Sequence, residues 1–191
     1  MWIDPHFADA PVLTTPPTSR LVEPGKPSVP AIGENAWCDV LLIHPWQTRL
    51  LTDIQGAQQS VVITALSMLP PRSAQRGPWP DAWHALCARA QAGVAIRLTL
   101  PAPSRAHAAT SQNATAATTA HAHGWTVTLL NSPRLLHAKQ FIIDQRIIWI
   151  GSANLTAAAY AHNQERWARI ESRTFGERLV CDIGKLPHQS G

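Results

Sequence analysis

The chain has 191 residues, 45% of them hydrophobic and 15% charged, which is the composition of one globular domain with a buried core. Its formal charge of +4 rests on 13 arginines among 16 basic residues, a modest excess that favours an anionic partner because arginine binds phosphate through paired hydrogen bonds. The three cysteines, Cys38, Cys87 and Cys181, are odd in number and widely spaced, which argues against a disulfide framework and against a zinc site.

The first 35 residues are expected to form an extended arm that precedes the domain. They contain seven prolines and show neither helical nor strand periodicity. No basic segment followed by an apolar run marks a signal peptide, and no window reaches the ~20 apolar residues of a membrane span. We therefore expect a soluble, cytoplasmic protein with an arm at residues 1–35 and one domain at residues 36–191.

From Trp37 onward, strand-like and helix-like segments alternate along the chain. Apolar and β-branched runs predict strands, of which the second is expected to be covered on both faces. The predicted strands are Cys38–Ile43, Ser60–Leu66, Val94–Leu100 and Trp125–Leu130; the predicted helices are Gln47–Gln59, Asp81–Ala92 with Asp81 as its N-cap, and one within residues 104–123 that ends at Gly124. This order predicts an α/β layered fold with a mostly parallel or mixed sheet flanked by helices.

Residues 135–156, LLHAKQFIIDQRIIWIGSANLT, predict a strand, a tight turn and a second strand. Alternation places His137 and Lys139 on one face and Asp144 on the other. A single histidine on a strand is most often a core residue, and a single lysine an edge residue. Here the two lie side by side without an acid between them, and each disfavours the other's charge unless an anion is bound. The pair therefore predicts an anion-binding pocket.

The second strand ends in Gly-Ser-Ala-Asn, where Gly151 is expected to allow a sharp turn and the residues after it offer short polar groups. The complete pattern is H-x-K-x4-D at His137, Lys139 and Asp144, G-S-x-N at Gly151, Ser152 and Asn154, and a glutamate at Glu165. This pattern resembles the signature of the phospholipase D superfamily, and the single copy resembles its small bacterial endonuclease branch.

The resemblance implies a role for each polar residue of the pattern. His137 would be the nucleophile that attacks phosphorus and forms a phosphohistidine. Lys139 and Asn154 would hold the non-bridging phosphate oxygens, and Ser152 would add a hydroxyl donor. Glu165 would accept a proton from the far ring nitrogen of His137 and fix its tautomer. No metal or cofactor is implied, because fixed cations take the place of Mg²⁺.

Asp144, on the opposite face, is expected to be structural and bonded to backbone or to a neighbouring strand. The superfamily's active site uses two such motifs, whereas no second H-x-K occurs in this chain. The resemblance therefore implies a homodimer in which two copies of the motif meet across a two-fold axis.

The function expected from the resemblance is that of a metal-independent phosphodiesterase, and a nuclease that cleaves DNA or RNA is favoured. Arg72, Arg76 and Arg134 are expected to line a groove for the phosphate backbone. A phospholipase or phosphatidyl transferase with a phospholipid substrate is the alternative enzyme. A catalytically silent nucleic-acid-binding module is a further alternative, but such a module has no use for an oriented nucleophile.

Two other groups of residues invite a functional interpretation. His121 and His123 could bind a metal, but an i, i+2 pair without a nearby acid or cysteine favours a solvent-facing position. Trp79 and Trp83 could stack on a base or lie at a lipid interface, with packing as the favoured alternative. The tryptophans of strand-like segments are expected in the core: Trp37, Trp125, Trp149 and Trp167.

Overall fold

The computed structural model describes residues 37–41, for which only the backbone is considered, and residues 46–186. The predicted arm at residues 1–35 lies outside the described residues. The strands are β1 Trp37–Leu41, β2 Ser60–Thr64, β3 Ala95–Pro101, β4 Thr126–Leu130, β5 Gln140–Ile143, β6 Ile147–Gly151 and β7 Trp167–Glu171. The helices are α1 Trp46–Gln55, α2 Pro78–Gln91, α3 Asn113–Ala122, α4 Ala157–Ala161 and α5 Arg173–Gly184, with a 3-10 turn at Ala108–Thr110.

The seven described strands form one mixed sheet in the order β1-β7-β6-β5-β2-β3-β4. Strands β2, β3 and β4 are parallel, whereas β5 pairs antiparallel with β2, and β6, β7 and β1 continue antiparallel. The expected α/β layered fold is confirmed, but the parallel part is limited to three strands. Three residues, 144–146, join β5 to β6, and so short a connection allows only an antiparallel pair.

The two faces of the sheet are covered unequally. One face packs against α1 to α4 and holds the main core, which includes Val61, Ile63 and Phe141. The other face carries a small cluster, Val62, Ile142 and Ile148, against which α5 packs Leu179, Val180 and Ile183. Strand β2 is buried along its whole length, so the prediction that both of its faces are covered is confirmed.

The tryptophans contribute to the main core. Trp125, Trp149 and Trp167 are buried, as expected, while the side chain of Trp37 lies outside the described residues. Trp79 and Trp83 are 1% and 4% exposed, so the packing alternative is correct and neither ring can stack on a base.

Two of the three cysteines can be placed. Cys87 is buried and Cys181 is exposed, and both are free thiols. Burial raises the pKa of the Cys87 thiol to about 11, which keeps it protonated and unreactive near neutral pH.

The start of α2 differs from the prediction. The N-cap is Gly77, not Asp81, because Pro78 occupies the first helical position, where its missing N–H has no partner to lose. Asp81 lies in the first turn instead, where its negative charge interacts favourably with the positive end of the helix.

Asp144 explains why α1 ends before its predicted boundary at Gln59. Its carboxylate accepts hydrogen bonds from the backbone N–H groups of Gln58, at 2.8 Å, Gln59, at 2.7 Å, and Ser60, at 2.9 Å. Its own N–H donates to the Ser60 carbonyl at 2.8 Å. The segment before β2 is thereby tied to the end of β5, so Asp144 has the structural role expected for it.

The turn between β5 and β6 places Asp144 and Gln145 at φ of 50° and 54°, in the left-handed region that tight hairpin turns often use. Helix α5 rests on this turn through Gly176. A Cβ at that position would lie 2.2 Å from the carbonyl oxygen of Gln145, so only glycine permits the contact.

We expect Asp144→Ala to lower the free energy of unfolding by about 2 kcal/mol, because three backbone donors lose their acceptor. Urea denaturation measures this change. Asp182→Asn on α5 is the matched control, since Asp182 is exposed and bonds only to Lys185 at 3.3 Å. Equal stability of the two variants would contradict the anchoring role of Asp144.

Candidate active site

The candidate site lies where the start of β5 meets the end of β6. His137 and Lys139 were predicted to lie within a strand, but β5 begins at Gln140, so both residues precede it. The antiparallel pairing nevertheless continues, since the N–H of Gly151 donates to the Lys139 carbonyl at 3.0 Å. The same edge of the sheet carries the carboxyl ends of β2, β3 and β4, the position at which α/β sheets bind ligands.

The histidine and the lysine are in contact but differ in exposure. The Lys139 ammonium donates to the backbone carbonyl of His137 at 2.8 Å and lies 3.1 Å from Nδ1 and 3.4 Å from Nε2 of its ring. Lys139 is 6% exposed, whereas His137 is open to solvent. Burial lowers the pKa of Lys139, and the negative charge of Glu165 partly offsets this effect.

Ser152 and Glu165 join the site from β6 and from the segment before β7. The Ser152 hydroxyl donates to a carboxylate oxygen of Glu165 and accepts from the N–H of Arg166 at 3.1 Å. The other Glu165 oxygen accepts from the side-chain amide of Asn163 at 3.0 Å. Within the described chain, Glu165 forms no hydrogen bond with His137, so the bond implied by the resemblance is not made in this arrangement. Asn163 was not indicated by the sequence pattern.

Gly151 has a different role from the predicted sharp turn. Its φ does not lie in the left-handed region, so a turn does not account for the glycine. A Cβ at this position would lie 2.3 Å from the Trp167 ring and 2.5 Å from the Arg166 carbonyl oxygen. The glycine is required because β7 passes too close to admit a side chain, and this close approach brings Ser152 within reach of Glu165.

Asn154 lies two residues after Ser152, and the two residues that follow it are fixed by bonds to other parts of the chain. The next residue, Leu155, forms a bridge with Met68, and its N–H donates to the Ser67 carbonyl at 3.1 Å. Thr156 caps α4 by accepting from the N–H of Ala159 at 3.2 Å. The side-chain oxygen of Asn154 is buried without a hydrogen-bond partner, which costs about 1–3 kcal/mol unless a donor arrives.

Asn113 is a buried residue that the sequence analysis did not identify. Its amide group donates to the carbonyls of Leu66 and Pro101, both at 2.9 Å, and its oxygen accepts from the N–H of Met68 at 3.2 Å. These bonds connect the start of α3 to the ends of β2 and β3. A polar residue at the start of an Ala- and Thr-rich helix is the one sequence signal that could have indicated it.

The three arginines expected to bind substrate occupy two locations. Arg72 and Arg76 are exposed on the loop between β2 and α2. The start of this loop is bonded to the segment after Asn154, since the N–H of Leu69 donates to the Leu155 carbonyl at 2.9 Å. Arg134 is exposed and lies three residues before His137, at the mouth of a cavity. The structure therefore places Arg134 next to the motif.

No group of three or more His, Cys, Asp or Glu side chains within residues 46–186 is arranged to hold a metal ion. His121 and His123 are exposed, and the edge of the His123 ring contacts Trp83 at 5.6 Å between ring centroids. No helix in the described part of the chain is long and apolar enough to cross a membrane.

Comparison with protein families shows the family to which the chain belongs. A family model described as "Cardiolipin synthase, PLD-like domain" matches residues 50–186, which contain all the site residues discussed above. The chain belongs to the phospholipase D superfamily. Enzymes of this superfamily act on phosphodiesters, and this protein is a phosphodiester-acting enzyme of that general kind. Among curated proteins, none matches the sequence.

Solved structures show the same fold at low identity. Nuc, a phospholipase D family member from Salmonella typhimurium, matches with a TM-score of 0.63 at 21% identity, over 79% of this chain and 93% of that chain. NucT from Helicobacter pylori gives 0.55 at 20% identity, over 79% and 94% of the two chains. Phosphatidylserine synthase from Haemophilus influenzae gives 0.56 at 13% identity, over 78% of this chain but 37% of that chain. The family match confirms the recognised superfamily.

The pH dependence of activity should report the buried lysine. If activity requires the Lys139 ammonium, the alkaline limb of the kcat/KM profile should fall at a pH below 10.5, the ordinary lysine value, because burial lowers the pKa of Lys139. Glu165→Gln should move this limb to still lower pH, since the negative charge of Glu165 raises that pKa. A limb that stays in place or moves upward in the Gln variant would contradict the assignment.

Proposed function

We propose that the protein is a metal-independent phosphodiesterase, specifically a nuclease, that works through a phosphohistidine intermediate in a homodimeric active site. The observation that carries the proposal is the contact between an exposed imidazole and a buried ammonium at His137 and Lys139. A buried cation next to a solvent-accessible nucleophile is the arrangement that an anionic diester requires.

The first chemical step is in-line attack of a ring nitrogen of His137 on phosphorus. The N–P bond forms as the bond to the leaving oxygen breaks, and that oxygen takes a proton from a general acid on the opposite side. Water then attacks the phosphohistidine and gives a proton back to the group that protonated the leaving oxygen, and the N–P bond breaks to release the second product and free His137. In the free enzyme the ring contacts Lys139, so an arriving phosphate must draw the ammonium onto its own oxygens and thereby release the ring.

The neighbouring groups stabilise charge rather than form bonds to the substrate. The Lys139 ammonium and the side-chain amide of Asn154 hold the non-bridging oxygens, and the Ser152 hydroxyl adds a donor once it leaves Glu165. Glu165 is then free to accept a hydrogen bond from His137 and to hold the imidazolium. Because Lys139 is buried, its interaction with phosphate is weakly screened by water.

Two observations favour a nucleic acid as substrate. The chain corresponds to 93% and 94% of the lengths of Nuc and NucT, but to 37% of phosphatidylserine synthase. Arg134, three residues before His137, and Arg166, next to Glu165, are cationic side chains near the motif that are open to solvent. Arginine's planar group suits the phosphates of a polynucleotide backbone.

A phospholipid is the second candidate substrate. The description of the matching family as a cardiolipin synthase domain and the fold shared with phosphatidylserine synthase both favour it. The same attack by His137 would serve this reaction, so the alternatives differ in substrate recognition and not in chemistry. A catalytically silent binding module is the least supported alternative, because a buried lysine held against an exposed histidine serves chemistry better than binding alone.

The homodimer follows from the need for a general acid. The sequence contains one H-x-K motif, and the leaving oxygen requires a proton donor opposite His137. His137 of the partner subunit would supply that proton if a two-fold axis passed between the two motifs. The exposure of His137 is compatible with such a shared site.

We expect wild-type protein to cleave labelled DNA or RNA in EDTA, and His137→Asn to lower the rate by several orders of magnitude because the nucleophile is lost. Product formation on gels measures both rates. His84→Asn is the matched control, since His84 is exposed on α2 and has no role in the mechanism. Full activity of the His137 variant, or strict dependence on added Mg²⁺, would refute the mechanism. Cleavage of phosphatidylcholine vesicles in place of nucleic acids would establish the lipid alternative.

Mixing wild-type chains with His137→Asn chains should test the shared site. If each site needs both histidines, equal co-expression should leave about one quarter of the wild-type specific activity, because random pairing yields about one quarter wild-type dimers. Differently tagged chains verify the pairing, and co-expression with His84→Asn controls for dilution. A decrease to about one half would mean that each chain acts alone.

A further inference from the structure

A cavity of about 270 Å³ opens beside the candidate active site, at the carboxyl ends of β3 and β4. Its polar lining comes from Ser104, His107, Asn131, Ser132 and Arg134, and Leu136 closes it next to the catalytic motif. Neither the family match nor the superfamily signature assigns a role to this cavity, because the signature begins at His137.

The walls of the cavity are held by hydrogen bonds within the chain. The N–H of Ala102 donates to the Leu130 carbonyl at 2.7 Å, which joins the loop after β3 to the loop after β4. The hydroxyl of fully buried Thr110 accepts from the N–H of Ser104 at 2.9 Å and donates to the His107 carbonyl at 2.8 Å. Since the backbone groups are paired in this way, the cavity is built before a ligand arrives.

The charge around the cavity favours an anion. Its lining includes Arg134 and His107 but no carboxylate, and residues 82–143, which supply the whole lining, contain no aspartate or glutamate. In the described part of the chain, the Arg134 guanidinium has no ion-pair partner, and the His107 ring accepts and donates no hydrogen bond. A basic side chain without a carboxylate partner at a preformed cavity is suited to phosphate.

The position of the cavity relates it to the reacting phosphate. Leu136 lines it, and the next residue is His137, whose Cα lies about 3.8 Å farther along the chain. A ligand in the cavity therefore lies beside the segment that carries His137. In a polynucleotide, the immediate neighbour of the scissile phosphate is a nucleotide that carries its own phosphate.

We propose that this cavity binds the unpaired nucleotide that flanks the scissile phosphate, with its phosphate held by Arg134 and His107. The proposal rests on the proposed nuclease function and adds a subsite to it. At about 270 Å³ the cavity is slightly below the roughly 300–1,000 Å³ typical of pockets for drug-sized ligands, so it accommodates one nucleotide unit. A nucleotide stacked within a duplex cannot enter it, which makes single strands the preferred substrate.

A lipid with a second phosphate is less well matched to the same cavity. The exposed large hydrophobic side chains among the described residues are Leu69, Ile150 and Phe175, and none of them lines it. Acyl chains held beside the site would therefore find little apolar surface at the cavity. A nucleotide places a phosphate and a polar sugar there instead.

The test compares a dinucleotide, whose one phosphate is the scissile one, with a trinucleotide that adds a flanking phosphate. In wild type, the trinucleotide should have a kcat/KM higher by about tenfold, the effect of one charge-assisted hydrogen bond, through a lower KM. Arg134→Gln and the cavity-filling Asn131→Trp should each remove most of this advantage, whereas Arg134→Lys should keep part of it. Arg97→Gln is the matched control, because Arg97 is exposed on β3 and does not line the cavity.

The outcomes separate this proposal from the proposed function. Thermal denaturation first verifies that both cavity variants are folded. If wild type cleaves both oligonucleotides and the two variants keep the trinucleotide advantage, the subsite is wrong and the nuclease function stands. Faster cleavage of a duplex than of the same single strand also overturns the subsite. If wild type cleaves bis(p-nitrophenyl) phosphate and cardiolipin vesicles but neither oligonucleotide, the nuclease function fails and the subsite fails with it.

Discussion

The junction between β2 and β5 is the constraint on which the rest of the structure depends. It is the one place where the parallel strands meet the antiparallel strands, and the Asp144 carboxylate fixes it by binding three consecutive backbone N–H groups. The opposite end of the same junction carries Lys139. A slip of one residue between β2 and β5 would turn the motif's side chains to the other face. Asp144 thus determines the geometry of a site in which it takes no part.

A second buried network holds β7 against α1 and β6. The Arg169 guanidinium donates to Asp53 at 2.8 Å, and the indole N–H of Trp149 donates to the same carboxylate at 2.9 Å. Burial alone would lower the pKa of Arg169, but its bonds to Asp53 and Glu171 outweigh this effect and raise that pKa. The guanidinium therefore stays charged. Because Glu165 lies two residues before β7, this network also fixes the position of the Glu165 carboxylate relative to β6.

The sequence was sufficient to predict the layered fold and the burial of Trp125, Trp149 and Trp167, because periodicity and β-branched runs report burial directly. It also indicated the contact between His137 and Lys139, since alternation places them on one face. It could not indicate Asn113 or Asn163, whose partners are distant or have no periodic signal. The sequence could not indicate why residue 151 must be a glycine either. The Trp167 ring comes close to it only when β6 and β7 are paired. Contacts between remote segments were the information that the linear pattern lacked.

Asn113 has a mechanical consequence for the protein. Its three hydrogen bonds join Leu66 and Met68, which lead into the loop carrying Arg72, to Pro101, which forms a wall of the cavity beside Arg134. All of these bonds are buried, so separating any one of them leaves a polar group without a partner. The start of the loop that carries Arg72 and the wall of the cavity are therefore tied together through one buried side chain. One side chain thus fixes the spacing between two segments that are far apart in the sequence.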